Sequence, residues 1–372
     1  MLVLPRSLCS RVVTLCTPRP FHWSLRPIQT HTAVTADQRP ARSTQVRYGH
    51  RSAQINFDTI GSWNNRLDLP LNLEYSIKSG TVIPENSLDN VGSASLLGRR
   101  KENEDRYHLQ ELTSDTLMVS IFDGHGGSMA ANFTWQHMAE HIVHWLDSGI
   151  TDLQLVLKEA FHDLNEAFTR FATQNYKGSE HALLSGTTAT ICLLRQNHEL
   201  VIGHVGDSVA ILCRDGKAIR LTKDHHLDNS QEEERVKSMG ATVTCDGQGK
   251  PRVNGRLDMT RSIGDLDLKP YGVIAEPSTK VIKVRHSRDA FLVLTTDGVN
   301  VSLTDQEIVD IINGRTDPEE AAKQVTDQAL QFGSEDNATA VVMPFGAWGK
   351  YSRAVSTIQY DFGRNIIGPR YS

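Results

Sequence analysis

The sequence predicts an α+β fold, a four-layer α-β-β-α sandwich of two antiparallel sheets packed face to face and covered by helix pairs. Three observations carry that prediction. Strand-like segments come in clusters and do not alternate one by one with helices. Two pairs of amphipathic helices interrupt those clusters, one early and one late. No internal repeat and no Gly/Ser-rich linker divides residues 91–346, so they read as one domain.

The elements follow in order. Residues 1–36 carry Arg6, Arg11, Arg19 and Arg26 but no lysine and no acid, and Asp37 is the first carboxylate. An Arg-rich, Ser/Thr-rich, acid-poor leader is the pattern of a mitochondrial presequence, so residues 1–50 are expected to be a targeting leader for the matrix. Residues 51–90, with Trp63 and scattered prolines and asparagines, read as an extended lead-in. Strands are expected at Val91–Ser95, Leu117–Phe122, Thr187–Leu194, Leu200–Val205, Val209–Cys213 and Lys217–Leu221. Further strands are expected at Lys280–Val284, Phe291–Thr296 and Thr339–Val342. Asp215-Gly216 between two of them is a hairpin signal.

Met129–Leu146 and Leu153–Phe171 form the first helix pair; the second member carries Val156, Leu157, Ala160, Phe161, Leu164 and Phe168 on one face. Asp305–Ile312 and Pro318–Leu330 form the second pair, with Asp317 as N-cap before a proline at the first helical position. Segment 223–258 suits an exposed flap, with a helix-like stretch at Gln231–Met239. Residues 347–372 are read as a C-terminal tail.

Composition narrows the function. A net charge of -5 argues against a nucleic-acid partner, and no apolar run of membrane-spanning length is present. The five cysteines have neither metal spacing nor a disulfide framework. The chemistry-bearing signal is a set of acids at strand ends. Val119–Phe122 runs into Asp123-Gly124-His125-Gly126-Gly127, and Val205-Gly206-Asp207-Ser208 and Thr296-Asp297-Gly298 close other strands. Arg100 to Arg106, with Glu104 and Asp105, follows the first strand, and Ser334-Glu335-Asp336-Asn337 leads into the last. Acids at strand ends can converge at one rim of a sandwich. Converging carboxylates without cysteine select hard cations such as Mn²⁺ or Mg²⁺, and a carboxylate can bridge two ions. A neighbouring His125 could protonate a leaving oxygen, and Arg100 could hold a phosphate.

These segments resemble the metal-dependent serine/threonine protein phosphatases of type 2C. The resemblance includes Ser185-Gly186-Thr187-Thr188-Ala189, Thr222-Lys223-Asp224-His225 and Thr260-Arg261-Ser262-Ile263-Gly264-Asp265, and it covers about residues 90–346 in family order. It implies a dinuclear Mn²⁺ or Mg²⁺ site at one rim of the sandwich, with Asp123 bridging both ions and the Gly124 carbonyl and Glu104 on one side. Asp297 and Asp336 would serve the other ion, and Asp207 a weak third one. It further implies that Asp105 orders water, Arg100 binds phosphate and His125 is the general acid, with a metal-bound hydroxide attacking phosphorus and no phosphoenzyme. Val209, Leu227, Ala241 and Val301 depart from the family pattern; the last stands where many members carry an acid that helps hold the third ion.

The basic leader, Gly61–Asp68 and the stretch Pro344–Tyr351 resemble a mitochondrial matrix member of the family that dephosphorylates the branched-chain 2-oxo acid dehydrogenase. The expected partner is therefore that phosphoprotein complex. The alternatives are a phosphoprotein-binding pseudophosphatase scaffold and a hydrolase of small phosphate esters. A scaffold would be expected to lack one of Asp123, Asp297 and Asp336, and all three are present.

Overall fold

A strand sheltered on both faces buries every residue rather than every second one. In the computed structural model Thr116–Phe122, Asp289–Thr295 and Ala338–Pro344 all do so. The structure describes residues 86–176 and 180–352. The expected presequence, nearly all of the lead-in and most of the tail lie outside the described residues.

In chain order the main strands are β1 (Gly92–Leu96), β2 (Arg106–Thr113), β3 (Thr116–Phe122), β4 (Ala189–Arg195) and β5 (Glu199–Val205). They continue as β6 (Val209–Arg214), β7 (Lys217–Arg220), β8 (Ser278–Lys283), β9 (Asp289–Thr295) and β10 (Ala338–Pro344). Helices α1 (Met129–Asp147) and α2 (Leu153–Asn175) form one pair, and α3 (Ser230–Ser238) lies in the flap. Helices α4 (Asp305–Asn313) and α5 (Pro318–Gln331) form the other pair. One five-stranded sheet has the order β1-β10-β9-β6-β7 and the other β8-β5-β4-β3-β2, with every neighbour antiparallel.

Side-chain alternation then builds the layers. Ile121, Cys192 and Ile202 of one sheet meet Leu212, Leu292 and Val341 of the other in the central core. The alternate residues Met118, Phe122, Ile191 and Leu193 face outward into Met138 and Ile142 of α1 and Leu157 and Phe161 of α2. On the opposite side Ile211, Val293 and Val342 pack under Ile308 and Val325. The expected α-β-β-α sandwich is the observed architecture.

Local chemistry sets the element ends. Asp152 caps α2 by accepting from the Gln154 N–H at 2.9 Å, and Asp317 caps α5 by accepting from Glu319 and Glu320 at 2.8 and 3.1 Å. Thr304 and Glu307 close a capping box on α4. In the β6–β7 hairpin Asp215 and Gly216 both have positive φ, 54° and 76°, as the tight two-residue turn requires.

Three elements differ from expectation. Strand β2 had no strong sequence signal because it is a sheet edge: its residues are only partly buried, and Tyr107 and Leu109 alternate with His108 and Gln110. The expected strand Thr187–Leu194 breaks at Thr188, whose N–H donates to the Asp123 carbonyl at 2.9 Å. Gly186–Thr187 is thereby released to pair with Gly124–His125 on one side and Ile263–Gly264 on the other. After β9 the chain turns at once into a single helical turn, Asp297–Asn300. At the far end Trp348 is buried against Phe291, with ring centroids 5.7 Å apart, so this layer's core continues to that residue.

The flap has its own small core of Leu227, Val236, Val253, Leu257 and Met259. Glu232 ties it together, accepting from Arg261 at 2.5 Å, Arg235 at 2.7 Å and Thr260 at 2.6 Å. Burial alone would raise its carboxyl pKa, but those three donors drive it far below the ordinary range. Its stabilising contribution is therefore complete above about pH 4.3, the unfolded value, and falls away as pH drops toward the folded one. Glu232→Gln should cost about 2–4 kcal/mol at pH 7, because two guanidinium groups lose a buried counter-charge. Thermal melts should show that difference shrinking as the pH falls from 5 to 3; a constant gap would contradict the assignment.

Candidate active site

Strand β3 ends in the site. The Asp123 N–H donates to Thr188 Oγ1 at 3.0 Å, and the Asp123 carbonyl accepts from Thr187 Oγ1 at 3.0 Å as well as from the Thr188 N–H. The backbone is thus clamped on both sides, which fixes where the carboxylate points. From the other sheet, the turn after β9 brings Asp297 and the segment before β10 brings Asp336. Asp105 lies buried between those two strand ends, accepting from Thr296 Oγ1 at 3.0 Å and Thr339 Oγ1 at 2.6 Å.

The electrostatics show that these acids meet. Burial and repulsion from Asp297, Asp105 and Asp207 raise the Asp123 carboxyl well above its usual range. Burial, Asp207 and Asp336 push Asp297 to about 7, and burial pushes Asp105 to about 6, with Asp336 adding to the rise. Asp297 is exposed to solvent, so burial weighs less there than at Asp123, and the repulsion from Asp207 and Asp336 is partly screened. Glu104 joins from the β1–β2 loop: its N–H donates to Asn337 Oδ1 at 2.9 Å, and its carboxylate accepts from the Gly127 N–H at 3.4 Å. A Cβ on Gly124 would press on the Glu104 backbone, so the two are in contact.

Arg100 reaches the same rim. Its Nη2 donates to Asp336 Oδ2 at 2.5 Å, and its side chain stays more than half exposed, at 60%. Burial works against its charge, but Asp336, Asp297 and Asp123 outweigh that and raise its pKa. An exposed guanidinium beside an acid cluster can take a phosphate while keeping its acid neighbour.

His125 points to a residue not named as a candidate in the sequence, Asp265. His125 Nε2 and Asp265 Oδ2 are 2.8 Å apart, and the buried Asp265 also accepts from Ser262 Oγ at 2.6 Å. Burial would lower the imidazole pKa, yet Asp265 reverses this and raises it. Reciprocally, burial would raise Asp265, and His125 holds it below its ordinary value. Gly186 makes this pair fit, since a Cβ there would collide with both partners. The signal available in sequence was the Ser262-Ile263-Gly264-Asp265 motif, but the motif does not say which histidine it serves.

Asp207 is also held by a residue that the sequence does not single out, His226. His226 Nε2 lies 2.9 Å from Asp207 Oδ2, and Asp207 Oδ1 is buried without a hydrogen-bond partner. The preceding His225 accepts from the Gly206 N–H at Nδ1, 3.1 Å, so its Nε2 carries the proton toward Ser278 Oγ at 2.8 Å. Burial and Arg261 keep this imidazole neutral, with a pKa of about 4. Val301 is exposed, and Val209 and Leu227 are buried in apolar clusters. Cys192 and Cys213 are buried free thiols whose pKa burial pushes up, the latter to about 12, so neither is a nucleophile at neutral pH.

Among the described residues, no group of three or more histidine, cysteine or acid side chains is set to hold a metal ion as the side chains stand. The donor chemistry nevertheless fits hard cations. All the candidate groups are oxygens, the acids raise one another's pKa, and Asp207 Oδ1 lacks a partner.

The model of the family described as "Protein phosphatase 2C" matches residues 89–338. The chain belongs to the protein phosphatase 2C family. It is a protein serine/threonine phosphatase of a metal-dependent family. It is 51% identical over 310 residues to "Protein phosphatase 1K, mitochondrial" of Xenopus laevis, covering 83% of this chain and 82% of that one. It is 34% identical to "Probable protein phosphatase 2C 45" of Oryza sativa subsp. japonica over 72% of this chain and 91% of the other. The fold is that of the serine-threonine phosphatase 2C from Toxoplasma gondii, with a TM-score of 0.62 at 21% identity over 68% of this chain and 94% of that chain. A C. elegans sex determining protein gives a TM-score of 0.64 at 21% identity, over 75% and 73% of the two chains. In this phosphatase the acid rim, Arg100 and His125 lie where the two sheets meet.

Proposed function

We propose that this phosphatase hydrolyses phosphoserine and phosphothreonine in a protein of the mitochondrial matrix, using two Mn²⁺ or Mg²⁺ ions. The observation that carries this reading is the set of acids that raise one another's pKa, Asp123 and Asp297 above all. So dense a negative charge beside an exposed arginine suits cations on one side and a phosphoryl group on the other. Asp123, the Gly124 carbonyl, Glu104, Asp297 and Asp336 would hold the two ions, and Asp207 a weaker third. Bound there, the ions would supply Lewis-acid charge and an activated water for attack at phosphorus. Arg100 orients the phosphate, Asp105 accepts a hydrogen bond from the attacking water, and His125 gives its proton to the departing serine or threonine oxygen. No side chain becomes phosphorylated.

The basic leader, the Gly61–Asp68 and Pro344–Tyr351 segments, and the Xenopus relative named mitochondrial support the compartment. The same resemblance supports the E1 alpha subunit of the branched-chain 2-oxo acid dehydrogenase complex as substrate, whose dephosphorylation would activate branched-chain amino acid catabolism. Protein lacking residues 1–50 should hydrolyse a phosphoserine peptide with Mn²⁺ and stop with EDTA. Phosphopeptide binding without turnover would favour the scaffold reading instead. Arg100→Ala should raise KM about tenfold and change kcat less than about threefold, since it removes a charge-assisted contact made to ground state and transition state alike. A fall in kcat at constant KM would overturn that role.

A further inference from the structure

The pair of His125 and Asp265 is itself held by the flap. The Asp265 backbone has a φ of 48°, a left-handed conformation that a residue with a side chain keeps only where its surroundings hold it. Its N–H donates to the Ser185 carbonyl at 2.9 Å, and its own carbonyl accepts from the Leu268 N–H at 2.9 Å. The carboxylate oxygens then divide. Oδ2 meets His125 and Ser262, whereas Oδ1 is buried without a hydrogen-bond partner. A guanidinium faces that second oxygen: Arg256 Nη2 lies 3.8 Å away.

Arg256 belongs to the flap, and its own placement is closely determined. Val253 and Leu257 exchange backbone hydrogen bonds of 2.7 and 3.3 Å. Between them Asn254 and Gly255 have φ of 49° and 72°, so Arg256 leaves a tight turn. Its carbonyl accepts from Arg252 Nη1 at 2.9 Å. Asp267, two residues beyond Asp265, anchors the guanidinium twice, accepting from Nη1 at 2.5 Å and from Nη2 at 2.7 Å. A two-point grip fixes the plane of the group as well as its distance. Asp267, with Asp265 adding to it, outweighs burial and raises the Arg256 pKa, so the group facing Asp265 is a permanent cation.

We propose that Arg256 is a positioning residue for the general acid. Anchored by Asp267, it supplies the charge that Asp265 Oδ1 faces and so fixes the rotation of that carboxylate about its Cβ–Cγ bond. Oδ2 is thereby kept aimed at His125. The inference rests on the phosphatase reading of the site and on proton donation by His125. Arg256 acts through Asp265 and needs no contact with the phosphate or the leaving oxygen. Because it sits on the flap, the seating of the flap sets the aim of the imidazole.

The test is a double-mutant cycle on the full chain with Mn²⁺, with kcat and KM measured on a phosphoserine peptide and on p-nitrophenyl phosphate. Arg256→Gln should lower kcat on the peptide about fivefold, the upper end of what a screened ion pair contributes, and change KM less than about twofold. The loss on p-nitrophenyl phosphate should be smaller, because nitrophenolate departs without a proton. Arg256→Lys, which keeps the charge but not the fork, should recover part of the peptide kcat. In an Asp265→Asn background Arg256→Gln should have almost no effect, since the charge it faces is already gone. Should Arg256→Gln fail to fold, Asp267→Asn, which loosens the anchor, carries the same cycle with an expected loss of about threefold. Losses that multiply in the double variant, or an equal fall on both substrates, overturn the positioning role while leaving the phosphatase reading intact. Absence of Mn²⁺-dependent turnover in the unaltered protein overturns the phosphatase reading, and the role of Arg256 with it.

Discussion

Asp123→Asn and Asp297→Asn should each abolish Mn²⁺-dependent turnover and yet raise the melting temperature of the metal-free protein. The two effects have one cause. Burial at Asp123 and mutual repulsion at both lift these carboxyls, Asp297 to about 7, so without cations the folded state carries charges that the unfolded chain would keep apart. Removing one charge relieves about 1 kcal/mol after solvent screening, or about 2–4 °C for a domain of this size. The pH dependence has a definite sign. A carboxyl whose folded pKa is raised makes the folded state bind protons more tightly, so metal-free stability should fall as pH rises from about 4 to about 7. Asp105, raised to about 6, acts in the same direction. Melts in EDTA from pH 5 to 8 for the wild type and both variants check this. Retained turnover in Asp123→Asn, or a metal-free wild type that stabilises steadily toward pH 8, would contradict the picture.

His125→Ala should lower kcat on a phosphoserine peptide about 10²-fold while changing p-nitrophenyl phosphate turnover far less. General acid catalysis typically contributes about 10²–10⁴, and it matters most when the leaving oxygen is strongly basic, as a serine alkoxide is and nitrophenolate is not. Asp265→Asn isolates the charge of the partner. Asp265 outweighs burial to keep the imidazole pKa raised, so the neutral amide should lower that pKa and bring the high-pH decline of kcat to lower pH. A kcat loss of about tenfold at pH 8 is expected, with KM nearly constant. A pH profile unmoved by Asp265→Asn would show that Asp265 only fills space. Equal losses on the two substrates in His125→Ala would assign the imidazole another task.

Much of this was legible in the chain, for identifiable reasons. The layers followed from helix pairs and strand clusters because a sandwich core imposes its period on the residues that build it, as Val156 to Phe168 show on α2. Asp123 was legible because a buried strand ending in Asp-Gly-His-Gly-Gly is local information. Strand β2 was not, since an edge strand with one apolar neighbour per pair of residues has little to distinguish it from a polar loop. Asp265 and His226 were missed for a different reason. Their partners lie 140 and 19 residues away in sequence, and only the close approach permitted by Gly186 and the flap brings them together.

The clamping of Asp123 by Thr188 and of Asp105 by Thr296 and Thr339 has a consequence for assembly. Asp123 closes a strand of one sheet, whereas Asp297 and Asp336 flank strands of the other. Neither sheet alone carries all of these acids, so the proposed centre needs both sheets. It comes into being only when the two sheets dock, and the interior residues between them, Leu294 and Val341 on one side and Ile121 on the other, hold the spacing of the acids. The hydrophobic contact is thus also the ruler of the chemistry.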